Sequence, residues 1–469
     1  MHLRLSIAAL AAASLAVPAA AQQAPLRPFG TMKEQAALQQ QWLQKRLDTF
    51  LAPLMRKYGV DMWVIPMREY NEDPVFSAIV SPTTFAARRR TIYVFYDKCA
   101  GMTGCTQPIE RIALGGTSQG GVFAAVRSSR PATTTGNGTT GELWGDEQWQ
   151  ALKDVIAQRN PKVIAINMSK VFAFTDGLSS GELAGMSAAL GAPWTAKFRP
   201  AEGLALDLIA SRTQEEAQYY RKLQELVWSF TKRMFSNEVI TPGVTRTSDL
   251  VWWWRQQVAD HGIGTWFQPS VAVQRKGVTA EQLGDDPVIM PGDFLWCDVG
   301  ITALRLNTDT QHDGYVLRPG ETEPPAGLKQ ALKNTNRMQD LLLEETRVGR
   351  TGNAILASVL ARMKAEGIEG TLYSHPIGLH GHGAGPLIGL WDMQEGVPGR
   401  GDVQVIPNMW FSAEMQSLTP IPEWGGQVLR VPQEEDFVIG DDGVPKWALA
   451  RQVDYWLVKP KSKGARVTP

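Results

Sequence analysis

The sequence predicts an α+β protein of two domains: a smaller α/β N-terminal domain, then a larger mixed domain from about residue 206. Three observations carry this. At 469 residues the chain is too long for one small core. Its first part alternates helical and strand patterns, and its second part opens with two amphipathic helices before turning to strand-like runs. Hydrophobic residues make up 43% and charged residues 20%, the balance of a globular chain. Lys plus Arg equals Asp plus Glu at 47 each, so no net field points to nucleic acid or an anionic membrane. The sixteen tryptophans are spread along the chain and read as core and loop packing.

The opening stretch MHLRLSIAALAAASLAVPAAA has a short basic start at Arg4, an alanine-rich apolar middle and Ala19-Ala20-Ala21 before Gln22. This is the pattern of a secretory signal over residues 1–21, short for a membrane span, and it predicts an exported, periplasmic or secreted protein, with an uncleaved membrane anchor as the alternative. No later apolar run is long enough to span. Residues 22–205 form the expected α/β domain. Leu38, Trp42, Leu47, Leu51, Leu54 and Tyr58 repeat at helical period, and Gly59 supplies a stop. VDMWVIP, TIYVFY and VIAIN (Val163 to Asn167) read as strands, and SSRPATTTGNGTTGE as an exposed loop. Cys99 and Cys105, in DKCAGMTGCTQ, can close a small disulfide after export; Cys297 sits in an apolar run and reads as a buried small hydrophobe.

Residues 206–469 form the second expected domain. Thr213 and Glu216 stand in capping-box register ahead of a long amphipathic helix. Thr241-Pro-Gly243 breaks it, and SDLVWWWRQQVADHG reads as a second helix. DFLWCDVGI, DGYVL, NMWFSAEM and QVLRV follow as strand-like runs.

The chemistry concentrates in this second domain. Three of the six histidines, His375, His380 and His382, fall in the glycine-threaded stretch HPIGLHGHGAGP. Asp298 tails a buried-looking strand and Asp309 follows eleven residues on. Glu414 interrupts a strand pattern, and Glu434 and Glu435 end another. Carboxylates set into strands are costly unless bridged by a cation. With one histidine they make an oxygen-rich donor set for a pair of divalent ions such as manganese, cobalt or zinc.

The order of these motifs resembles the pita-bread metallopeptidase family, which includes Xaa-Pro aminopeptidases, prolidases, methionine aminopeptidases and creatinases. Asp-x-Gly, an Asp eleven residues on, His-Gly-x-Gly, a strand Glu and a C-terminal Glu-Asp follow one another over about 206–460, with a weaker likeness in the first domain to the creatinase and prolidase N-terminal domain. The resemblance implies a dinuclear centre with Asp298, Asp309, His382, Glu414 and Glu435 as ligands, Glu434 being a one-residue alternative to Glu435. It implies two divalent ions, manganese first with zinc or cobalt as alternatives. It further implies Glu414 as general base, and His375 or His380 as the histidine that contacts substrate. The implied activity is hydrolysis of N-terminal Xaa-Pro bonds in short peptides by a metal-bridged hydroxide. No nucleic-acid partner and, once the signal is removed, no membrane partner is expected, and a homodimer is compatible with the family.

Three positions depart from the family pattern. Seven residues after His382, where these peptidases carry a second histidine, stands Gly389. Seventeen before Asp298 stands Glu281. His312 replaces the Arg of a D-x-T-R motif. These departures keep two alternatives open, a creatinase-like C–N hydrolase and a non-catalytic metal-binding member. A competitor of another class is Gly116-Thr-Ser118-Gln-Gly120, a G-x-S-x-G match that precedes the helix-compatible VFAAVR. After His2, however, the first domain has no histidine to serve Ser118.

Overall fold

The computed structural model describes residues 27–128 and 141–460. The expected signal at 1–21 and most of the 128–142 loop lie outside the described residues. Among the described residues no helix is long and apolar enough to cross a membrane.

Helix α1 (Met32–Lys57) starts at a capping box: Thr31 Oγ1 accepts from the Glu34 amide, and Glu34 accepts from the Thr31 amide. Gly59, just past its end, takes a φ of 63°. Six strands follow: β1 (Met62–Arg68), β2 (Arg90–Tyr96), β3 (Glu110–Leu114), β4 (Ala124–Val126), β5 (Ile164–Ile166) and β6 (Phe198–Pro200). They form a mixed sheet in the order β4-β3-β2-β1-β5-β6. Met62 and Val64 pack with Trp149 and Leu152 of α2 (Asp146–Arg159) and Met186 of α3 (Ser180–Leu190). Trp63 and Ile65 face the other way, onto Leu47 and Leu51 of α1 and Leu204 and Leu208 of α4 (Glu202–Ala210). Burial on both faces is why this strand reads as an unbroken apolar run. Residues 205 and 206 lie inside α4, whose apolar side belongs to the N-terminal core. Cys99 and Cys105 are joined as a disulfide just after β2.

The second domain opens with α5 (Gln214–Met234), capped by Thr213 and Glu216, and α6 (Thr247–Asp260). Its main sheet comprises β7 (Ser270–Gln274), β8 (Phe294–Val299), β11 (Thr310–Val316), β12 (Gly370–Ile377), β13 (Trp410–Ile421) and β14 (Gln427–Ile439), in the order β12-β13-β14-β11-β8-β7. A small hairpin of β9 (Thr302–Ala303) and β10 (Leu306–Asn307) interrupts the run from β8 to β11. Two short strands, Pro445–Trp447 and Trp456–Val458, add to β14 and β11.

Helices back one face of this sheet. Leu295, Cys297 and Val299 pack on Leu223 and Val227 of α5 and Leu250 and Trp254 of α6. Leu372, Phe411, Ala413 and Phe437 pack on Met338 and Leu341 of α7 (Ala326–Glu345) and Ile355 and Leu356 of α8 (Gly352–Ala365). Cys297 is a buried free thiol in that layer. Residues of opposite parity, Asp298, Glu414 and Glu434 among them, therefore point to the opposite face.

The β9–β10 hairpin ties the domains together. Leu304 and Arg305 at its tip have φ of 56° and 60°, the conformation of a tight two-residue turn. The Arg305 guanidinium donates to the carbonyls of Val80 (3.0 Å), Ser81 (3.0 Å) and Thr84 (3.3 Å) in the first domain. At the hairpin base, Gly300 sits where a Cβ would lie 2.3 Å from the Thr308 carbonyl and 2.7 Å from the Phe267 ring. Gly300→Ala is expected to destabilise the protein by about 3 kcal/mol. That corresponds to a fall in thermal midpoint on the order of 6 °C; an unchanged melting curve would refute this packing account.

Candidate metal centre

Strand register builds the site. On the open face, one row crosses five strands: Tyr373 of β12 faces Glu414 of β13, which faces Glu434 of β14; Glu434 faces Gln311 of β11, which faces Asp298 of β8. Residues two positions along share the face. His375, Ser412, Asp436 and Asp309 thus form a second row beside the first.

The donor atoms converge in overlapping groups. Asp298, Asp309 and Glu434 form one, His375, Glu414 and Glu434 another, and Asp309, His375 and His382 a third, with the atoms of each within 4.8 Å of one another. His375 Nε2 lies 3.6 Å from Asp309 Oδ2 and 3.5 Å from Glu434 Oε1, too far for good hydrogen bonds. Its Nδ1 is 3.0 Å from the Pro376 carbonyl, which can only accept, so Nδ1 carries a proton and Nε2 is the ring atom turned to the cluster, where it would offer its lone pair once a cation took the place of a proton there. Asp298 Oδ1, Asp309 Oδ1 and His375 Nε2 are buried without a hydrogen-bond partner. Orphaned lone pairs that meet in one place are what a cation needs, and the donor set fits one.

Electrostatics agree. Burial, then the charge of Glu434, push the Asp298 and Asp309 carboxyls well above the ordinary range. Burial and Glu434 raise Glu414 to about 8. His375 is depressed by burial, but Tyr373, Asp309 and Glu434 override this and hold it well above its usual value. Neutral donors order the acids: Gln311 Nε2 donates to Glu414 Oε1 (2.9 Å) and Glu434 Oε2 (3.0 Å), and Ser412 Oγ donates to Glu434 Oε1 (2.5 Å). Asp436 accepts from Tyr220 (2.6 Å), from Gln224 and from the Asp309 amide (3.2 Å), fixing the backbone at Asp309.

Of the sequence-predicted residues, the structure gathers Asp298, Asp309, Glu414 and Glu434. Glu435 requires a correction. Its neighbour in β13 is Ala413, so it points to the helix-backed face. There it accepts from His312 Nε2 (3.0 Å) and the Gln452 amide (2.9 Å). The two histidines stand differently in the cluster, His375 in two of the donor groups and His382 in one. His375, expected to contact substrate, is the buried histidine of the cluster. His382, expected as the ligand, stands exposed at its edge, its ring 4.8 Å from that of His375 and 5.1 Å from Trp266. His382 stands seven residues after His375, the same interval that separates His382 from Gly389. Partial burial of its ring, then the charge of His375, hold the His382 imidazole down at about 4, neutral at pH 7.

The other candidates lie apart. His380 joins none of the converging groups; its ring packs on Phe174 of the first domain, 4.9 Å away. Glu281 is exposed on the short helix Ala280–Leu283. His312 faces Trp228 and Trp456 behind the sheet. Ser118 lies in a turn between β3 and β4, so a strand stands where a nucleophile elbow needs a helix. Gln119 beside it is a structural anchor, bonded to Ser81, Thr84 and Tyr93.

Sequence reasoning missed Gln311, Tyr373 and Trp266. Trp266 Nε1 donates to the Thr308 carbonyl (2.9 Å), and a Cβ on Gly381 would meet its ring at 2.3 Å. Next to the acids opens a cavity of about 220 Å³ lined by Trp296, Tyr373, Trp391, Glu414 and Arg430.

The model of metallopeptidase family M24 matches residues 218–441, a span that holds the whole cluster. No curated protein matches the chain. Solved structures resemble it along most of its length. The X-Pro aminopeptidase of Thermotoga maritima MSB8 superposes with a TM-score of 0.57 at 16% identity, over 87% of this chain and 100% of that one. The Xaa-Pro dipeptidase of Bacillus anthracis gives 0.52 at 16%, over 90% and 99%. The prolidase of Pyrococcus furiosus gives 0.51 at 15%, over 86% and 100%. At such identities the likeness is one of fold. Residues 218–441 match the model of that family, and the chain has the fold of these structures, a pita-bread domain following an α/β N-terminal domain.

Proposed function

We propose that this protein is a dinuclear metal-dependent peptidase that removes N-terminal residues from short peptides at Xaa-Pro bonds. The observation that carries the reading is the meeting of Asp298, Asp309, Glu414, Glu434 and His375 on one sheet face, with buried lone pairs left unpartnered. Asp309, Glu434 and His375 each belong to two donor groups, so with Asp298 and Glu414 they are the residues that would hold the ions. The oxygen-rich set favours manganese, with cobalt or zinc as alternatives. When bound, such ions polarise a carbonyl and lower the pKa of water.

The chain's own groups divide the remaining work. Glu414 stands between the acidic row and the 220 Å³ cavity, placed to take the proton of an attacking water and pass it to the leaving amine. Neutral His382, at the open edge, can donate a hydrogen bond to the oxyanion that develops on the scissile carbonyl. Trp266 sets the position of His382 by ring contact. The aromatic walls of Trp296, Tyr373 and Trp391 suit an apolar residue or a proline ring. The three similar structures are named for X-Pro or prolidase activity, which supports the choice of bond. The leader-like N-terminus, together with the Cys99–Cys105 disulfide, supports export to an oxidising compartment.

The test is hydrolysis of Xaa-Pro and Xaa-non-Pro peptides by the metal-stripped protein with and without Mn²⁺. Turnover is expected only with metal and only before proline; a folded, metal-loaded protein that cleaves none of them would overturn the reading. His382→Ala is expected to lower kcat/KM by about 10²–10⁴-fold with metal content unchanged, whereas His380→Ala leaves it within about threefold. Metal analysis of paired variants separates the neighbouring glutamates. Glu434→Gln is expected to weaken metal binding by about a hundredfold or more. Glu435→Gln should keep full stoichiometry and instead lose about 1–3 kcal/mol of stability; the reverse pattern would return Glu435 to the ligand set.

A further inference from the structure

The junction between the domains contains a second polar site, away from the acidic row. It is a cavity of about 20 Å³, room for one particle of about water size. Trp42 and Arg46 of α1, Glu216 of α5 and Arg305 at the hairpin tip line it. Its charge balance is unusual. Arg46 and Arg212 are 5% and 1% exposed, and both turn to the one carboxylate of Glu216, itself 2% exposed. Arg212 Nη1 lies 3.1 Å from Glu216 Oε1 and Arg46 Nη1 lies 3.5 Å from the same oxygen, while the Thr213 amide donates to Oε2 at 2.7 Å. With Arg305 on the same cavity wall, three guanidinium groups gather where there is one carboxylate. Main-chain carbonyls take up part of the excess: Ala78 accepts from Arg46, Ile209 from Arg212, and the 80–84 loop from Arg305. Burial and Arg212 lower Arg46 to about 10, so it remains charged at neutral pH.

Two donors on the lining side chains remain unanswered. Trp42 Nε1 and Arg46 Nε are both buried with no acceptor. Leaving such donors bare is costly, most of all for a charged group. A water would satisfy them but would bring two O–H donors of its own into a wall already rich in donors. A small anion brings none and offsets the excess positive charge.

We propose that this cavity binds one small monovalent anion, chloride being the abundant one, held by Trp42 Nε1 and the guanidinium groups of Arg46 and Arg305. The site would join α1, α5 and the hairpin that runs between Asp298 and Asp309. Anion binding would therefore fasten the N-terminal domain to the segment that positions two of the metal-centre acids.

Crystals of the mature protein grown with bromide in place of chloride are expected to show anomalous difference density in this cavity. In solution, replacing gluconate by chloride at constant ionic strength should raise the thermal midpoint. Trp42→Phe keeps the ring packing and removes one donor, so it should shift the chloride concentration for half the effect upward by about tenfold. An ordered water in the cavity, or bromide bound only elsewhere, overturns the proposal. So does a chloride response that Trp42→Phe leaves untouched. Bromide density without any chloride dependence in solution means an adventitious ion only, and overturns it as well.

Discussion

Repulsion among acids on one sheet face is the constraint around which the second domain is arranged. Asp298, Asp309, Glu414 and Glu434 offer oxygens within 4.8 Å in overlapping groups. Two such charges about 4 Å apart repel by roughly 4 kcal/mol at an effective dielectric of 20. Nothing local to any one strand would hold them together. What does is the cross-strand ladder, unbroken over twelve residue pairs from Trp410↔Val438 to Ile421↔Gln427 between β13 and β14, together with the helices packed on the reverse face. A one-residue slip of β14 would replace Glu434 by Glu435 or Gln433 on the open face, so register and site chemistry are the same specification.

The same logic explains the hairpin. Asp298 near the end of β8 and Asp309 just before β11 must be joined by chain, and a tight turn with two residues at positive φ does so within a short span. Its tip reaches the first domain through Arg305, and its base leaves no room for a side chain at Gly300. The N-terminal domain thus bears directly on the segment between two of the acids. Trp266, bonded to the Thr308 carbonyl and touching His382, braces that segment from the other side.

The fold was legible in the sequence because its signals are periodic. The α1 and α5 stripes, the capping boxes at Thr31 and Thr213 and the apolar runs of β1 and β8 each state their element locally. The acids stood out as a set because Asp298 and Glu414 lie in strands and Asp309 directly precedes one, where solvated charges are out of place. The assignments that went astray depended on parity and partner. Glu434 and Glu435 are adjacent in sequence, and only the pairing of Glu414 with Glu434 tells which one turns inward. His375 lies before a proline within a strand and His382 in the glycine-rich segment after it, so the motif spacing admitted both. The interval of seven residues between them was the signal that could have decided it. Gln311, Tyr373 and Trp266 carry no motif at all; their roles come from cross-strand neighbours or a distant loop.

The partners of the acids distinguish a metal centre from an ordinary buried ion-pair network. In such a network arginine or lysine answers the carboxylates, as Arg212 answers Glu216 and Arg275 answers Asp293 in this same protein. Around the acidic row, the side chains that bond to the carboxylates are Gln311, Ser412, Tyr220 and Gln224, all neutral. The basic side chain within ion-pair distance of these acids is His375, whose Nε2 approaches Asp309 and Glu434 without bonding to either. Neutral donors orient a carboxylate without cancelling its charge. A protein that surrounds its acids in this way has kept their charge for something else to balance, and two divalent ions match that deficit where one histidine cannot.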